Sequence, residues 1–454
     1  MQNLKQKFLV SPHPHILMIT NHGIHQWKVI PGLPDTGGQN VFVNQFTDTL
    51  AHRGYKITII NRGGYRHPLS GEMRSGIHYK DENRRILNLD DGFEKFVRKE
   101  DMEERIPYLC EILATHLEQE GLGVDLIISH YWDGAKLGVC FNRSQRELSD
   151  HVWVPHSLGA IKKRNVHPDQ WTKLRIDERI ANEKRILKTV HTVAATSAII
   201  KQSLREDYHY DGKLLFLPPC VDPLRYHPRT IPSDDPIWTF LSQYCDFSPE
   251  EIQNRPIITE ISRTDRTKRK DVLIRAFAQI LKKHSRALLV ISIDKTGKDH
   301  AKDLMQLIQS LGIEKNVLVL GSVWEQLPSI YAITSIYCSP SVMEGFGMSV
   351  QEAAATAVPV VASNLVPFVS EYLLGESRKE IRYGGGIYPL QFGQGAIMVH
   401  ADDIDGFVRA LDALLSKPKL REQMGKNAYK ITIPYFTWDK IVNEFLTEIG
   451  YATS

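Results

Sequence analysis

The chain has 454 residues, of which 42% are hydrophobic, 9% aromatic and 24% charged. This composition excludes collagen-like, low-complexity and wholly disordered proteins, and the length is sufficient for two or three domains. With 56 Lys and Arg residues against 53 Asp and Glu, the net charge is only +3, which gives no reason to expect a nucleic-acid-binding protein. Any basic function must therefore come from local clusters of charge.

The five cysteines are scattered, and no two of them form a CxxC pair, which argues against a zinc ribbon or a dithiol motif. The first residues lack the apolar core of a signal peptide, and no run approaches the ~18 apolar residues of a membrane helix. We therefore expect a soluble, cytoplasmic protein with reduced thiols and no insertion into a membrane.

Short apolar runs alternate with longer helical patterns along the whole chain. Continuous apolar runs predict parallel strands buried on both faces, and the alternation predicts doubly wound α/β sheets. The first series comprises His15–Thr20, Tyr55–Ile60, Asp125–Ser129, His191–Thr196 and Leu214–Leu217. The second series comprises Pro256–Ile261, Ala287–Ile293, Asn316–Leu320, Ser335–Cys338, Val358–Ala362 and Ala396–Val399.

A proline-rich stretch, Pro218–Asp235, separates the two series, and a segment without clear periodicity continues to Asn254. The boundary predicts two Rossmann-like domains, 1–222 and 223–435, that face each other across a cleft. Ligands of open α/β sheets bind at the carboxyl ends of the strands, so this cleft is the expected functional site.

Two adjacent glycines, Gly37 and Gly38, stand at the start of a helical pattern that ends at Gly54. Because glycine has no Cβ, backbone N–H groups at such a helix start can approach a phosphate or a sugar closely. The alternative is that Asp35 or Thr36 caps the helix and the glycines only form a tight turn.

The run 263–270 follows the predicted strand Pro256–Ile261 and contains five Lys or Arg residues. Cations at the end of a strand and the start of a helix favour a site for a polyphosphate. A solvated basic face and a nuclear-localisation or nucleic-acid patch are the alternatives. No aromatic residue interleaves with these cations, which disfavours nucleic acid.

Two carboxylates, Glu344 and Glu352, flank the end of another strand and the start of a helix. Such a pair suits the recognition of sugar hydroxyls, and an acid/base pair of the glycosidase type or a merely structural role are alternatives. His130 and His156 each follow a strand-like run, so both are also expected at carboxyl ends of strands.

Four motifs occur together: DTGGQ at 35–39, HSLGA-x-K at 156–162, SR-x-D-x-x-K at 262–268 and EGFG-x-x-x-x-E at 344–352. In order and spacing they resemble the retaining glycosyltransferases of family 4, in particular the branch of sucrose-phosphate synthase and sucrose synthase. The resemblance covers nearly the whole chain. It implies the GT-B fold, with an acceptor-binding first domain, a second domain that binds the nucleotide sugar, and a last helix, 436–454, packed back on the first.

On the donor side, the resemblance implies contacts from Gly37, Gly38, Arg263, Lys268, Glu344, Gly345, Phe346, Gly347 and Glu352. Arg263 and Lys268 would hold the diphosphate, Glu344 the hexose and Glu352 the ribose. The residues implied to be catalytic are His156, Arg263, Lys268 and Glu344. On the acceptor side, the implied residues are Gln39, Lys99, Tyr131, Ser157, Lys162 and Arg179.

The resemblance implies transfer of a hexose from a nucleotide sugar, first of all UDP-glucose, to a phosphorylated sugar with retention of configuration. It implies no tightly bound cofactor and no metal site, with Mg²⁺ at most stimulating, and no nucleic-acid partner. A GDP-mannose or other donor, a phosphoglycerate-bearing or neutral fructose acceptor, and a non-catalytic sensor of sugar nucleotides are the alternatives. The branch's Gly-Gly-Pro turn is replaced by Ser363–Glu371, and Gly375–Gly395 resembles an insertion, so the donor is left open. The oligomeric state is not predicted.

Overall fold

The computed structural model describes residues 2–30, 33–294, 299–321, 323–383 and 388–451. The chain divides into two compact units: unit 1 contains Met1–Pro218 and Trp438–Ser454, and unit 2 contains Pro219–Thr437. These bounds differ by a few residues from those expected from the sequence. Along the described ranges, no helix is both long enough and apolar enough to cross a membrane.

Unit 1 is built on a sheet of eight strands in the order β10-β9-β8-β7-β1-β2-β6-β5. Neighbouring strands are parallel except for the edge strand β5, and a separate short ribbon joins β3 and β4. The strands are β1 (His15–Ile19), β2 (Lys56–Arg62), β3 (Tyr65–Arg66), β4 (Met73–Arg74), β5 (Gly76–Tyr79), β6 (Arg84–Leu89), β7 (Leu126–His130), β8 (Asp150–Val154), β9 (Thr192–Ala195) and β10 (Lys213–Phe216).

Seven α-helices in the first part of unit 1 connect these strands and cover the sheet. They are α1 (Gln2–Val10), α2 (Gly38–His52), α3 (Ile106–Glu120), α4 (Tyr131–Ser144), α5 (Gly159–Asn165), α6 (Ile176–Leu187) and α7 (Ala198–Glu206). Short 3₁₀ helices span Lys99–Arg105 and Pro168–Gln170. The central strands β1 and β7 are buried along their whole length, as the continuous apolar runs predict.

Unit 2 has a second eight-stranded sheet in the order β13-β12-β11-β14-β15-β18-β17-β16, parallel except for the pairs that involve β17. The strands are β11 (Ile257–Glu260), β12 (Leu288–Ser292), β13 (Val317–Leu320), β14 (Ile336–Ser339), β15 (Val360–Ser363), β16 (Lys379–Ile381), β17 (Leu390–Phe392) and β18 (Ala396–Val399). The predicted α/β class with two Rossmann-like sheets is therefore confirmed.

The helices of unit 2 are α8 (Pro236–Ser242), α9 (Pro249–Gln253), α10 (Lys270–Leu281), α11 (Asp299–Ser310), α12 (Leu327–Ile333), α13 (Met348–Ala355), α14 (Ile404–Ser416) and α15 (Pro418–Thr432). Shorter helical turns span Arg266–Lys268, Glu314–Asn316 and Val369–Leu373. The last helix of the chain, α16 (Trp438–Ile449), belongs to unit 1 and packs on α2, where Trp438 stacks on Phe46 with ring centroids 5.7 Å apart.

The segment up to Asn254, expected to be irregular, instead contains α8 and α9. Asp235 accepts a hydrogen bond from the backbone of Ile237 at the start of α8, and Ser248 caps α9 in the same way. Each helix also has proline in its first turn, which fits there because that position needs no N–H donor. Helices of seven and five residues are too short to produce a visible 3.6-residue period.

The segment resembling an insertion, Gly375–Gly395, extends the sheet of unit 2 through the antiparallel strands β16 and β17. Residues 384–387 of this segment lie outside the described ranges. Asp403 caps α14 through a 2.8 Å hydrogen bond from the amide of Gly406.

Candidate functional site

Two candidate residues of unit 1 lie at the carboxyl ends of the neighbouring strands β7 and β8. Tyr131 follows β7 directly, and His156 comes two residues after β8. Both have left-handed backbone angles, with φ of 63° and 55°, and so does Asp35 with φ of 49°. Such a conformation costs a non-glycine residue on the order of 1–3 kcal/mol and is concentrated at functional sites.

The half-buried His156 and the buried His130 form a pair of rings. Their Nε2 and Nδ1 atoms are 2.9 Å apart, the rings stack at 5.1 Å, and Phe42 packs edge-on against His156. Burial lowers the pKa of His156 to about 3 and holds the pKa of His130 well below its usual value. Both rings are therefore neutral near pH 7, which suits hydrogen bonds to sugar hydroxyls rather than ion pairs.

Gly37, and not Asp35 or Thr36, occupies the capping position of α2, which corrects the capping alternative. The amide of Gly37 donates to Oδ1 of Asn40 at 2.9 Å, while the Thr36 hydroxyl accepts from the amide of Ile24. Gly38 is exposed at the first helical position, so this helix start offers backbone donors to solvent. The Gln39 amide donates to the Thr20 hydroxyl at 3.0 Å.

A small pocket of unit 1, here called the cationic pocket, is lined by four of the six predicted acceptor residues: Lys99, Tyr131, Lys162 and Arg179. Ser157 lies beside it and accepts two hydrogen bonds from the Arg179 guanidinium, at 2.7 and 3.0 Å. Gln39 is not part of the lining. The structure thus brings together Lys99, Lys162 and Arg179, the three cations that the resemblance places on the side of the phosphorylated acceptor.

Acidic side chains in and around the cationic pocket compensate much of its positive charge. Lys99 is ion-paired with Asp35, and Glu100 lies 3.5 Å from Lys99 and 3.8 Å from Lys162. Arg179 is paired with the fully buried Glu183 at 2.8 Å. The sequence does not predict the ion pairs of Asp35, Glu100 and Glu183. Asp35 belongs to the DTGGQ motif, but that motif does not indicate a charge partner for it.

Lys162 is the least compensated cation of the cationic pocket. Burial, together with the charges of Arg179 and Lys99, lowers the pKa of Lys162 to about 8. By contrast, burial opposes the charge on Lys99, but Asp35 outweighs it and the pKa of Lys99 is raised. An anion bound here would therefore stabilise the charged form of Lys162 most.

Sequence reasoning also missed a second polar pair at this edge, His22 and Asp133. His22 follows β1, Asp133 lies in the first turn of α4, and Nδ1 of the histidine is 2.9 Å from Oδ1 of the aspartate. Both side chains are buried. The signal that points to them is that each lies within four residues of the carboxyl end of a central strand.

In unit 2, the candidate donor residues lie after β11 and β14, which are adjacent in the sheet. Lys268 and Glu344 form an ion pair at 2.5 Å, and each side chain is only slightly exposed. Arg263 is exposed and makes no ion pair with any described residue. The loop between β11 and α10 therefore presents one cation already bound to a carboxylate and one open to solvent.

The other cations of the run 263–270 have structural partners, which corrects the interpretation of all five as one phosphate site. Lys270 is fully buried and paired with Glu260, while Arg269 contacts Asp402 at 2.9 Å. Arg266 reaches Asp303 at 3.4 Å. Charge and spacing in a sequence do not reveal that the first residue of α10 turns into the core.

The EGFG motif places its residues in different surroundings. Phe346 packs against Phe368 at 5.2 Å, and Gly347 has φ of 109°, where a Cβ would come within 2.8 Å of Val366. Glu352, on α13, accepts a hydrogen bond from Tyr331 at 3.2 Å, and burial raises its pKa to about 7. Glu344, in contrast, is ion-paired with Lys268, so the two carboxylates have different partners and different surroundings.

Side chains stabilise the turn that replaces the glycine-rich one after β15. The Ser363 hydroxyl donates to the carbonyl of Ser341 and accepts from the amide of Leu365, and Asn364 accepts from the amide of Ala401 at 3.0 Å. Among the described residues, no group of three or more His, Cys, Asp or Glu is arranged to hold a metal ion.

Two family models match the chain in succession. "Glycosyltransferase Family 4" matches residues 36–225, and "Glycosyl transferases group 1" matches residues 246–431. The chain is 28% identical over 366 residues to a mannosylfructose-phosphate synthase from Agrobacterium fabrum, covering 77% of this chain and 76% of the relative. It is 26% identical over 412 residues to a D-inositol 3-phosphate glycosyltransferase from Corynebacterium jeikeium, covering 88% of each.

A solved structure of sucrose-phosphate synthase from Thermosynechococcus elongatus is similar in fold. The TM-score is 0.78 at 21% sequence identity, and the match covers 97% of this chain and all of that one. At this identity the likeness establishes the fold, which is of the GT-B glycosyltransferase type, and leaves substrates to be argued from the residues.

Proposed function

Because the chain belongs to glycosyltransferase family 4 and carries a group 1 domain in its second unit, we propose that it transfers a hexose from a nucleotide sugar to a phosphorylated sugar. UDP-glucose is the first donor to test, and retention of the anomeric configuration is part of the proposal. The observation that carries it is the cationic pocket, where Lys99, Lys162 and Arg179 converge in the unit that the family uses for acceptors.

The roles of the donor residues follow from their chemistry. Arg263 and Lys268 would neutralise the diphosphate as it leaves, since preorganised cations stabilise charge that develops in a transition state. Glu344, held by Lys268, would accept hydrogen bonds from hexose hydroxyls, and Glu352 from the ribose. His156, neutral because burial lowers its pKa, would bind a hexose hydroxyl.

In the proposed reaction, the bond between the anomeric carbon and the diphosphate oxygen breaks while the acceptor oxygen bonds to the same face of that carbon. The acceptor proton passes to the departing diphosphate, whose negative charge the two cations share. No protein nucleophile takes part in this sequence, and no tightly bound cofactor is needed. Neither nucleic acid nor a membrane has a role in it.

The identities of donor and acceptor are tested by a matrix of substrates. UDP-, ADP- and GDP-hexoses are each combined with fructose 6-phosphate, glucose 6-phosphate, inositol 3-phosphate, a phosphoglycerate derivative and free fructose, and nucleotide release is measured. The proposal expects turnover with at least one sugar phosphate and little with free fructose. Nucleotide binding without turnover in every combination would support the non-catalytic sensor instead.

A mannose donor is the second candidate, and a specific observation favours it. The relative from Agrobacterium fabrum is named for a mannosylfructose phosphate, and the relative from Corynebacterium jeikeium is named for an inositol phosphate. The two names differ in the sugars but share a phosphate. In this chain the turn after β15, where Ser363–Glu371 stands in place of a Gly-Gly-Pro turn, is one part of unit 2 that departs from the expected donor site.

We expect kcat/KM for the phosphorylated acceptor to fall as the pH rises through about 8. Lys162 is charged below its pKa of about 8 and neutral above it, so it loses its attraction for a phosphate dianion in alkaline solution. The value of kcat/KM for the acceptor, which reports the free enzyme, should fall by up to tenfold per pH unit above that point. Lys162→Arg should remove this decline, because arginine stays charged. An identical alkaline limb in both proteins would contradict the assignment.

Removal of metal ions is expected to leave most of the activity in place. Arg263 and Lys268 can neutralise the leaving diphosphate without a metal, although Mg²⁺ bound to the nucleotide sugar would still stimulate. The measurement compares initial rates in EDTA and in Mg²⁺ or Mn²⁺. Complete loss in EDTA with recovery in Mg²⁺ or Mn²⁺ would show that a metal, and not these side chains, stabilises the leaving group.

A further inference from the structure

The pair formed by His22 and Asp133 has a geometry that fixes the histidine's hydrogen-bonding role. An ionised carboxylate accepts hydrogen bonds only, so Nδ1 of His22 must carry the proton that it shares with Oδ1 of Asp133 at 2.9 Å. In a neutral ring Nε2 is then an acceptor. Among the described residues, none makes a hydrogen bond to Nε2, and that atom is not among the fully buried, unpartnered ones.

The aspartate has a strong reason to hold His22 in place. Asp133 is completely buried, and its Oδ2 atom has no hydrogen-bond partner among the described residues. A buried carboxylate is costly without hydrogen-bond donors, and among the described residues Nδ1 of His22 is the side-chain donor to Asp133. The orientation of the ring is therefore set from behind, with Nε2 directed away from Asp133.

The loop that carries His22 packs directly against residues of the cationic pocket. A Cβ on Gly23 would come within 2.4 Å of the Asp35 carbonyl oxygen, and Asp35 is the ion-pair partner of Lys99. The His22 ring lies 4.8 Å from the ring of Tyr131, whose hydroxyl bonds to Arg179. Tyr131 thus contacts both His22 and Arg179 of the cationic pocket.

The charged and titratable groups around His22 are Asp133, Asp35, His130 and His156. His22 is close enough to Asp35, His130 and His156 for a charge on its ring to affect each of them. His130 and His156 are neutral at working pH, so neither ring places a competing positive charge near His22. Such a nitrogen suits a hydroxyl group.

We propose that His22, oriented by Asp133, accepts a hydrogen bond from a hydroxyl of the acceptor sugar whose phosphate occupies the cationic pocket. This role rests on the proposed function. The hydroxyl is one that does not react, because the reacting hydroxyl gives its proton to the departing diphosphate. His22 thereby selects acceptors by the position of a hydroxyl, and Asp133 is its positioning residue.

Two variants separate this role from a purely structural one. His22→Asn retains an amide nitrogen near the position of Nδ1, which can still donate to Asp133, and deletes Nε2. His22→Gln places an amide oxygen near the position of Nε2. We expect His22→Asn to lower kcat/KM for the acceptor roughly 5- to 100-fold with an unchanged KM for the donor, and His22→Gln to recover part of the loss.

The decisive experiment is a double-mutant cycle in which one change is the His22→Asn substitution and the other is the removal of one hydroxyl from the substrate. Wild type and His22→Asn are assayed with fructose 6-phosphate and its 1-, 3- and 4-deoxy analogues, or with the deoxy analogues of whichever sugar phosphate wild type prefers. Deletion of one particular hydroxyl should cost wild type as much as the mutation does, and should cost the variant little more. His151→Gln, which alters a half-buried histidine bonded to Ser129, serves as the control that should show no such coupling.

The outcomes distinguish the two proposals. If, for every analogue, the fold-loss in kcat/KM from the mutation and the fold-loss from removal of the hydroxyl simply multiply, the role of His22 is overturned. The proposed function would remain intact in that case. Wild type that fails to use any sugar phosphate would overturn the proposed function, and the role of His22 with it.

Discussion

Arg263→Ala and Lys268→Ala are each expected to lower kcat by about 10²–10³. The negative charge on the diphosphate grows as its bond to the hexose breaks, so cations placed there bind the transition state more tightly than the ground state. Arg263 is the cleaner test, because it is exposed and makes no ion pair with a described residue. Lys268→Ala also leaves Glu344 without its partner and should affect the hexose as well as the phosphate.

Arg266→Ala is the matched control for this experiment. Arg266 lies in the same run and is highly exposed, but its contact is Asp303 at 3.4 Å rather than Glu344. Nucleotide affinity and turnover are measured for the three variants alongside wild type. Equal losses in all three would indicate a general effect of charge, and near-normal turnover in Arg263→Ala would contradict the assignment of the donor phosphate.

Lys162→Ala is expected to remove most of the preference of the enzyme for a phosphorylated acceptor. Charged hydrogen bonds contribute ~1.5–3 kcal/mol each, so two of them imply a preference of at least two orders of magnitude in kcat/KM in wild type. Lys162 is the cation with the weakest compensation, its nearest carboxylate being Glu100 at 3.8 Å. Its loss should reduce the preference roughly 10- to 100-fold and leave the rate with the free sugar unchanged.

The neighbouring Lys163 provides the control. It is ion-paired with Asp177 at 2.6 Å and does not line the cationic pocket, so Lys163→Ala should retain the full preference. Arg179→Ala is less informative, because it would leave the buried Glu183 unpaired at a cost of about 3–5 kcal/mol in the free energy of unfolding. A preference that survives in Lys162→Ala would place the acceptor phosphate elsewhere.

The sequence predicts the two sheets well because parallel strands buried on both faces leave an unmistakable apolar pattern. It misses β6, because the run begins with two arginines and does not look apolar. Arg85 is nevertheless buried, since it is ion-paired with Glu120 of α3. It also misses the helices α8 and α9, which have seven and five residues and are too short to show a helical period. The apolar pattern of a sequence indicates burial only where the buried residues are themselves apolar.

The candidate site shows the same division. Motifs identify Lys268 and Glu344, and the structure joins them in one ion pair. Asp35 opens the DTGGQ motif, but no motif assigns Lys99 as its partner, because the two residues are distant in sequence. Glu183 lies one helical turn after Arg179, outside all four motifs. The number of cations in a run therefore overstates the positive charge of a site, as Lys270 illustrates by pairing with Glu260 in the core.

The most direct test of the proposed function is the identity of the product formed in a competition. Wild type is given UDP-glucose, or the donor chosen by the substrate matrix, with equal concentrations of fructose 6-phosphate and fructose, and the products are followed by ¹H and ³¹P NMR. We predict a phosphorylated disaccharide that keeps the monoester phosphate and the anomeric configuration of the donor, in large excess over the neutral disaccharide. Equal amounts of the two disaccharides, or an inverted anomeric centre, would contradict it.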